Sequence, residues 1–500
     1  MRLWPFKHIR SAIVYRFFEI VPGTLVWLTL VGAVLVSLLQ PLWAIYFIII
    51  FDLYWLLRVL YLLIYLVTSW RKYQDTIAVN WLPKLETLPN WQRIHHLVFL
   101  PTYRESVDIL RASIRSLTQV HYPLDKFIVV LAGEARDQAN FLQNAELIKQ
   151  EFGSAFGHFL VTLHPDDIVG EIAGKGSNVC WAGHRAQELI DTLGLNYDDI
   201  VVSTFDVDSC AHPDYFAYLT YTYLTVADPL HSSYQPVALY SNNVWESPAI
   251  NRVVANSTTF WLLTDLARPE RLFTFSSHSM PFRALTDVGF WQNDIVTEDS
   301  RIFLQCFVRY NGNYRVTPLF IPIAMDTVYA GSFWRSLVNQ YKQQRRWAYG
   351  VENFAYMAWH FWRSKEIPFL KKFRYLWNQL EGVYSWATAP VIILILGWLP
   401  LRFAGNEVTN TLLAYNAPQT LSWLMRLAMV GLVFSAIFST VLLPQRPTGH
   451  TRLSYVMMVL QWFLFPPCMI IFGSVPAIDA QTRLMLGKYL GFWVTEKTRA

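Results

Sequence analysis

Apolar positions fall into three patterns along this chain. Residues 1–20 set Arg2, Lys7, Arg10 and Arg16 among Trp, Phe and Ile, which predicts an amphipathic segment lying on a membrane surface. Val21 to Leu39 is nearly all apolar and long enough to cross a bilayer. Gln40-Pro41 predicts a tight turn, and Leu42 to Trp70 a return crossing ended by Arg71-Lys72, giving a transmembrane hairpin over residues 21–72. Positive charge at both ends places both in the cytoplasm. Asp52 and Arg58 interrupt the second crossing. Six residues apart on a helix they point roughly 240° from each other, so each is expected to pack against other helices or snorkel rather than pair with the other.

From Tyr73 to about Tyr375 the pattern changes. Short apolar runs at Leu97 to Leu100, Phe127 to Leu131, Phe159 to Leu163 and Ile200 to Thr204 alternate with helical periodicity. The helical stretches are roughly Val107 to Leu117, Gln138 to Glu151 and Val179 to Leu193. Strands alternating with helices predict βαβ units, a mainly parallel sheet and a ligand site at the carboxyl ends of the strands. Residues 73–330 form this cytosolic domain, and 331–380 read as interfacial helices.

Residues 381–445 carry two further crossings, Val383 to Phe403 and Leu421 to Leu443. The connection between them (404–420) has no Lys or Arg and belongs outside; Arg446 and Arg452 return the chain inside. Within 446–500, the apolar stretch Leu453 to Ile478 is broken by Phe465-Pro466-Pro467. It reads as a fifth crossing or as a re-entrant pair of short helices, about 13 residues and roughly 20 Å each. Arg483, Lys488, Lys497 and Arg499 in the tail favour the re-entrant form, which keeps them inside.

Composition sharpens this outline. Of the 500 residues, 53% are hydrophobic and only 15% charged, so part of the chain faces lipid. A net charge of +5 without a basic cluster gives no case for nucleic acid. Four cysteines with no C-x-x-C pair argue against a disulfide framework or zinc site and fit a reducing compartment. No cleavable signal is evident in the first twenty residues.

The chemistry concentrates at the predicted strand ends. Ser203-Thr-Phe-Asp206-Val-Asp208-Ser209 follows the fourth strand, and side chains two apart on an extended segment point the same way. Two such carboxylates repel unless a cation sits between them, and hard oxygen ligands suit Mg2+ or Mn2+ bridging a diphosphate. A solvated acidic loop is the bland reading. Pro101-Thr102-Tyr103-Arg104-Glu105, Gly133-Glu134-Ala135 and Gly174-Lys175-Gly176-Ser177-Asn178 stand at the other strand ends and form a reasonable nucleotide cradle. Thr297-Glu298-Asp299 precedes an amphipathic helix, Ser300 to Arg309, and offers either helix-dipole complementarity or a general base. Gln343, Arg346 and Trp347, on a helix beginning near Ser332, share one face. A guanidinium suits a diphosphate and an indole the apolar face of a sugar.

Together these motifs resemble the membrane-integrated family 2 glycosyltransferases, the cellulose, chitin and hyaluronan synthases and their relatives. The Pro-x-Tyr-x-Glu segment, the Lys175 loop, Asp-x-Asp, Thr-Glu-Asp and Gln-x-x-Arg-Trp occur in that order, and Phe492-Trp-Val494-Thr495-Glu-Lys497 resembles the cellulose synthase gating loop. The resemblance spans roughly Leu97 to Lys497 and implies an α/β GT-A-type (Rossmann-like) domain flanked by transmembrane helices. It implies that Asp206 and Asp208 hold the metal, that Thr102, Tyr103, Glu105, Glu134, Lys175 and Asp206 bind the donor, and that Gln343 and Arg346 take its diphosphate. It further implies that Asp299, beside Glu298, is the catalytic base, that Trp347 stacks on the acceptor, and that Phe492, Val494, Thr495 and Lys497 gate the site. Three departures stand out. Gly133-Glu134-Ala135 replaces the usual Asp-Asp-Gly, Phe273 to Ser279 replaces Phe-Phe-Cys-Gly-Ser, and the chain stops at Ala500 where cellulose-type enzymes continue with more helices.

The expected protein is a multi-pass plasma (inner) membrane enzyme with its catalytic domain in the cytoplasm. It moves sugar from a nucleotide-sugar, a UDP-sugar for preference, to a β-linked polysaccharide with inversion. The alternatives are single-sugar transfer to a membrane lipid, as in ceramide glucosyltransferase-like enzymes, and a non-catalytic export partner. The lipid bilayer, the acceptor and possible further membrane subunits are its expected partners.

Overall fold

The computed structural model describes residues 9–405, 411–449 and 451–495. An eight-stranded mixed sheet lies at its centre, in the order β3-β2-β1-β4-β7-β6-β8-β5. The strands are β1 (His95–Pro101), β2 (Phe127–Glu134), β3 (His158–His164), β4 (Ile200–Thr204), β5 (Cys210–Ala211), β6 (Ser232–Tyr240), β7 (His278–Pro281) and β8 (Arg315–Met325). β1, β2 and β4 are buried along nearly their whole length, as continuous apolar strands covered on both faces must be. The helices Val107–Thr118, Gln138–Phe152 and Lys175–Leu193 link the first four strands.

Strand direction decides where chemistry gathers. β3, β2, β1 and β4 are parallel. β7 runs antiparallel to both β4 and β6, and β6 is parallel to β8. The carboxyl ends of β1, β2, β4, β6 and β8 therefore share one edge, which carries Pro101, Glu134, Thr204, Tyr240 and Met325. β7 begins at that same edge, so the segment before it, including Ser276, arrives there too.

Among the described residues, four helices are long and apolar enough to cross a membrane: Ser11–Leu39, Pro41–Ile77, Leu412–Val441 and Leu453–Met485. A fifth results if Phe369–Leu394 and Leu396–Phe403, bent by 42° at their junction, count as one span. The element bounds differ from the sequence reading in several places. The helix Phe369–Leu394 begins well before the expected crossing Val383 to Phe403 and ends inside it, and the helix Leu412–Val441 begins within the expected connection 404–420. The first helix starts at Ile9 and runs unbroken to Leu39, so the described part of the amphipathic segment and the first crossing are one helix. The second helix continues past Arg71-Lys72 to Ile77 and docks on the sheet domain, where Ser69 Oγ donates to the Leu263 carbonyl. The stretch from Leu453 is a single helical run of 33 residues that absorbs Pro466-Pro467 instead of turning there. Both prolines lie in the first turn of a helical segment, where a missing N–H costs nothing.

Both ends of this run rest on elements beside the sheet. Met458 packs with Val244 and Trp245, and near the other end Asp479 pairs with Arg345 at 3.0 Å. Among the spanning helices, Arg58 is paired not with Asp52 but with both carboxylate oxygens of Glu381, and it donates to the Tyr54 hydroxyl at 2.7 Å.

Candidate active site

A cleft open to solvent lies at the shared strand edge. Its lining includes Thr102, Tyr103 and Glu105 after β1, Glu134 at the end of β2, Lys175 and Asn178 opening a helix, and Asp206 and Asp208 after β4. Tyr240 and Met325 close β6 and β8 there, Gln343, Arg346 and Trp347 reach in from the helix Phe333–Ala348, and Phe492, Val494 and Thr495 arrive from the tail. Residues almost 400 positions apart in sequence thus face one volume.

Lys175 is the electrostatic centre. Its Nζ lies 2.7 Å from Asp206 Oδ1, 2.8 Å from Asp299 Oδ1 and 4.0 Å from Glu298 Oε1. Burial alone would lower its pKa, but the charges of Asp206, Asp299 and Glu298 raise it well above the usual lysine value. Asp206 also accepts from the Ser276 hydroxyl at 2.7 Å, and Asp208 Oδ2 accepts from the Asp326 backbone N–H at 2.8 Å. Glu298 sits behind the lining rather than in it. Its burial, with Asp299 beside it, pushes its pKa up to about 8, so its ionised form is disfavoured in the fold.

The β1 and β2 ends are shaped by their own carboxylates. Glu105 accepts from Thr102 Oγ1 at 2.8 Å and from the Tyr103 backbone N–H, closing the loop on itself. Burial raises its pKa to about 7. Glu134 is buried and accepts from Arg136. Two guanidiniums approach the Tyr103 ring, Arg104 at 5.0 Å and Arg136 at 4.4 Å from its centroid.

The tail crosses the mouth of the cleft. A Cβ on Gly174 would lie 2.4 Å from the Phe492 ring, so only glycine admits the ring at this distance. On the other side Phe492 faces the Arg346 guanidinium at 4.7 Å, and Lys342 sits 3.7 Å over the Trp493 ring. Upstream, Arg16 donates to the Leu484 carbonyl at 2.7 Å and Tyr489 donates to Glu19 at 2.9 Å, which ties the tail's root to the first helix. Lys497 lies outside the described residues.

The cleft therefore gathers the sequence-derived donor, metal and acceptor positions and the described tail residues Phe492, Val494 and Thr495. Asp299 joins it through Lys175. Sequence reasoning did not single out Tyr240, Met325 or the individual role of Ser276. Tyr240 and Met325 end strands that carry prolines and lack a clean apolar run; Ser276 was visible only as part of its segment.

The donor set also bears on a metal. Among the described residues no cluster of three or more His, Cys, Asp or Glu is arranged to hold one. Asp206 and Asp208 alone offer two carboxylates, a partial set that suits a hard divalent cation taking its remaining ligands from substrate phosphates. The residues present fit such an ion.

A family model described as glycosyl transferase family group 2 matches residues 201–475, from the fourth strand into the last helical run. The chain belongs to that family: it is a glycosyltransferase enzyme, with a GT-A-type α/β core. A comparison with curated protein sequences finds no match. Similar solved structures include the mannosyltransferase PcManGT from Pyrobaculum calidifontis in complex with GDP-Man and Mn2+, at 15% identity and a TM-score of 0.42, covering 77% of this chain and 99% of that one. S. aureus TarS 1-349 in complex with UDP-GlcNAc is similar at 13% identity and a TM-score of 0.36, covering 70% and 91%.

Proposed function

We propose that the protein is a membrane-embedded inverting glycosyltransferase that extends a β-linked polysaccharide from a nucleotide-sugar, with UDP-sugars favoured. The carrying observation is the single cleft in which Tyr103, Glu134, Lys175, Asp206, Asp208, Gln343, Arg346 and Trp347 meet beneath the tail. Tyr103 and Glu134 bind the nucleoside, and Gln343 and Arg346 take the diphosphate. Asp206 and Asp208 hold Mg2+ or Mn2+. That cation, when bound, neutralises charge on the departing diphosphate. Asp299 accepts the proton of the attacking acceptor hydroxyl, whose oxygen bonds to the anomeric carbon as the bond to diphosphate breaks and its electron pair leaves with the phosphate. Lys175 orients Asp299 and Asp206 together, and burial disfavours the ionised form of Glu298 beside the base. Phe492, Val494 and Thr495 shield the reacting centre from water.

In this reading the catalytic domain is cytoplasmic and the hydrophobic helices cross the plasma (inner) membrane. Arg71-Lys72 at the cytosolic end of the second helix supports the orientation. The contacts of both ends of Leu453–Met485 with elements near the sheet support a course that does not carry the tail across.

A second reading, sugar transfer to a membrane lipid, has its own support. The helix bearing Gln343, Arg346 and Trp347 exposes Phe333, Trp334 (75%) and Val338, a face suited to the bilayer surface where a lipid headgroup would reach the cleft. The two separate by product. Nanodisc-embedded protein is supplied with Mn2+ and a panel of radiolabelled UDP- and GDP-sugars, and label is divided into butanol-extractable and high-molecular-weight fractions. Polymer label digested by one specific glycanase supports the synthase; label in butanol supports the lipid transferase and overturns the first reading.

A further inference from the structure

The turn that carries Asp299 is held from behind by a second helix. Asp299 is the second residue of the helix Glu298–Arg309, and the Thr297 side chain just before that helix does not cap it. The Thr297 hydroxyl donates instead to Glu352 Oε1 at 2.7 Å, at the start of the helix Glu352–Arg363. On the other side of Asp299, the Ser300 hydroxyl accepts from Asn353 Nδ2 at 2.8 Å and donates to the Thr297 carbonyl at 3.2 Å. Glu352 and Asn353 are consecutive, so these bonds close a ring through Glu352, Thr297, Ser300 and Asn353. Glu298 and Asp299 stand on the turn that the ring spans.

Arg301 extends the same grip. Its Nε donates to Asn353 Oδ1 and its Nη1 to Gln292 Oε1, each at 2.7 Å, and its guanidinium lies 4.1 Å from the Tyr356 ring centroid. Arg301 and Asn353 are both buried. A buried guanidinium held by two neutral amides depends on both, because stranding its donors is costly. Asn353 is committed at both ends, its oxygen to Arg301 and its nitrogen to Ser300, and it cannot rotate without breaking one bond. From the cleft side, Lys175 holds the Asp299 carboxylate at 2.8 Å and Thr274 Oγ1 donates to the Asp299 carbonyl. Glu352, Asn353 and Arg301 stand behind the cleft lining.

The place of this grip in the chain has a consequence for the chemistry. Glu352 follows Trp347 by five residues, and the turn Tyr349–Val351 joins their two helices. One stretch of chain therefore carries Arg346 and Trp347 into the cleft and also holds the turn that bears the base. We infer that Glu352 and Asn353 are positioning residues, which act through Thr297, Ser300 and Arg301 to keep the Asp299 carboxylate at a fixed spacing from Arg346 and Trp347. This rests on the glycosyltransferase reading above and deepens it with two residues that touch neither donor nor acceptor. The base must reach the attacking hydroxyl while the guanidinium meets the diphosphate, and a misplacement of about 1 Å costs about a hundredfold in rate.

The test uses full-length protein in nanodiscs with Mn2+ and the donor that native protein turns over from a panel of UDP- and GDP-sugars. Release of nucleoside diphosphate and donor binding are measured for native protein, Asn353→Ala, Glu352→Ala, Glu352→Gln and Ser300→Ala. In the two alanine variants at 352 and 353, kcat is expected to fall about 10- to 100-fold with donor affinity within about threefold of native. Ser300→Ala, which removes a single hydroxyl, should lose about threefold to tenfold and decides the matter if Asn353→Ala fails to fold. Glu352→Gln keeps a carbonyl acceptor for Thr297 and should recover most of the turnover. In an Asp299→Asn background, Asn353→Ala should cost less than about twofold more, because its effect passes through the base. Native kcat in both Asn353→Ala and Ser300→Ala overturns the inference. So does a loss of donor affinity that matches the loss of turnover, or an undiminished further loss in the Asp299→Asn background. Native protein that turns over no donor, or Asp299→Asn protein with native turnover, overturns the functional reading together with this inference.

Discussion

The ammonium of Lys175 lies 2.8 Å from the carboxylate of Asp299 and so joins the Asp-x-Asp loop to the Thr-Glu-Asp helix, two motifs almost a hundred residues apart. One cation faces three acidic groups, two of them at hydrogen-bond distance. Removing it leaves like charges crowded in a largely buried place.

Lys175→Met is therefore expected to destabilise the protein by about 3–5 kcal/mol, the usual cost of stranding buried charge. Transfer should fall by at least about a hundredfold. Thermal melts with and without Mn2+ check the assignment of Asp206. A divalent cation should raise the melting temperature of the variant more than that of native protein, because it replaces the missing positive charge.

Gly174→Ala places a methyl group where Phe492 now sits. The methyl's nearest neighbours all belong to Phe492, but the Gly174 φ of +158° is also one that L residues rarely adopt, so some backbone strain accompanies the release of the tail. Expected outcomes are faster proteolytic cleavage around Leu490 to Thr495 and a rise of about tenfold in donor KM, with a loss of stability of no more than about 1–3 kcal/mol. Unchanged cleavage and unchanged KM would show that Phe492 does not depend on this glycine to close over the site.

Glu298 predicts a pH effect of definite sign. Its folded-state pKa of about 8 lies above the unfolded value of 4.5, so the folded protein holds a proton that the unfolded chain releases. The stabilisation linked to that proton is fully present below about pH 4.5 and is lost as pH rises to about 8. Glu298→Gln cannot ionise. In donor-free protein its melting temperature should gain on that of native protein steadily between about pH 5 and pH 8. A difference independent of pH would mean that Glu298 is already ionised in the fold.

Much of this was legible in the sequence, for identifiable reasons. The strands β1 to β4 are continuous apolar runs with helices between them, and such runs announce a buried parallel sheet. β6 and β8 gave no such signal, because Pro236 sits at the register shift after Gln235, and Pro318 and Pro322 interrupt β8. The motif residues were readable because each stands at a strand end or on one helix face. What they touch was not. Lys175 presented itself as a loop lysine, and only the fold shows its three acidic neighbours. The continuous course of Leu453–Met485 was obscured by two prolines that a helix tolerates in its first turn.

The central claim is that this cleft transfers sugar with Asp299 as its base, and the most direct measurement compares native protein with Asp299→Asn. Release of nucleoside diphosphate from the donor that native protein uses is followed beside donor binding in the same nanodiscs. The account predicts a loss of about 10²- to 10⁴-fold in turnover with donor affinity within about threefold of native. Turnover kept at the native rate, or donor binding lost along with turnover, would contradict it.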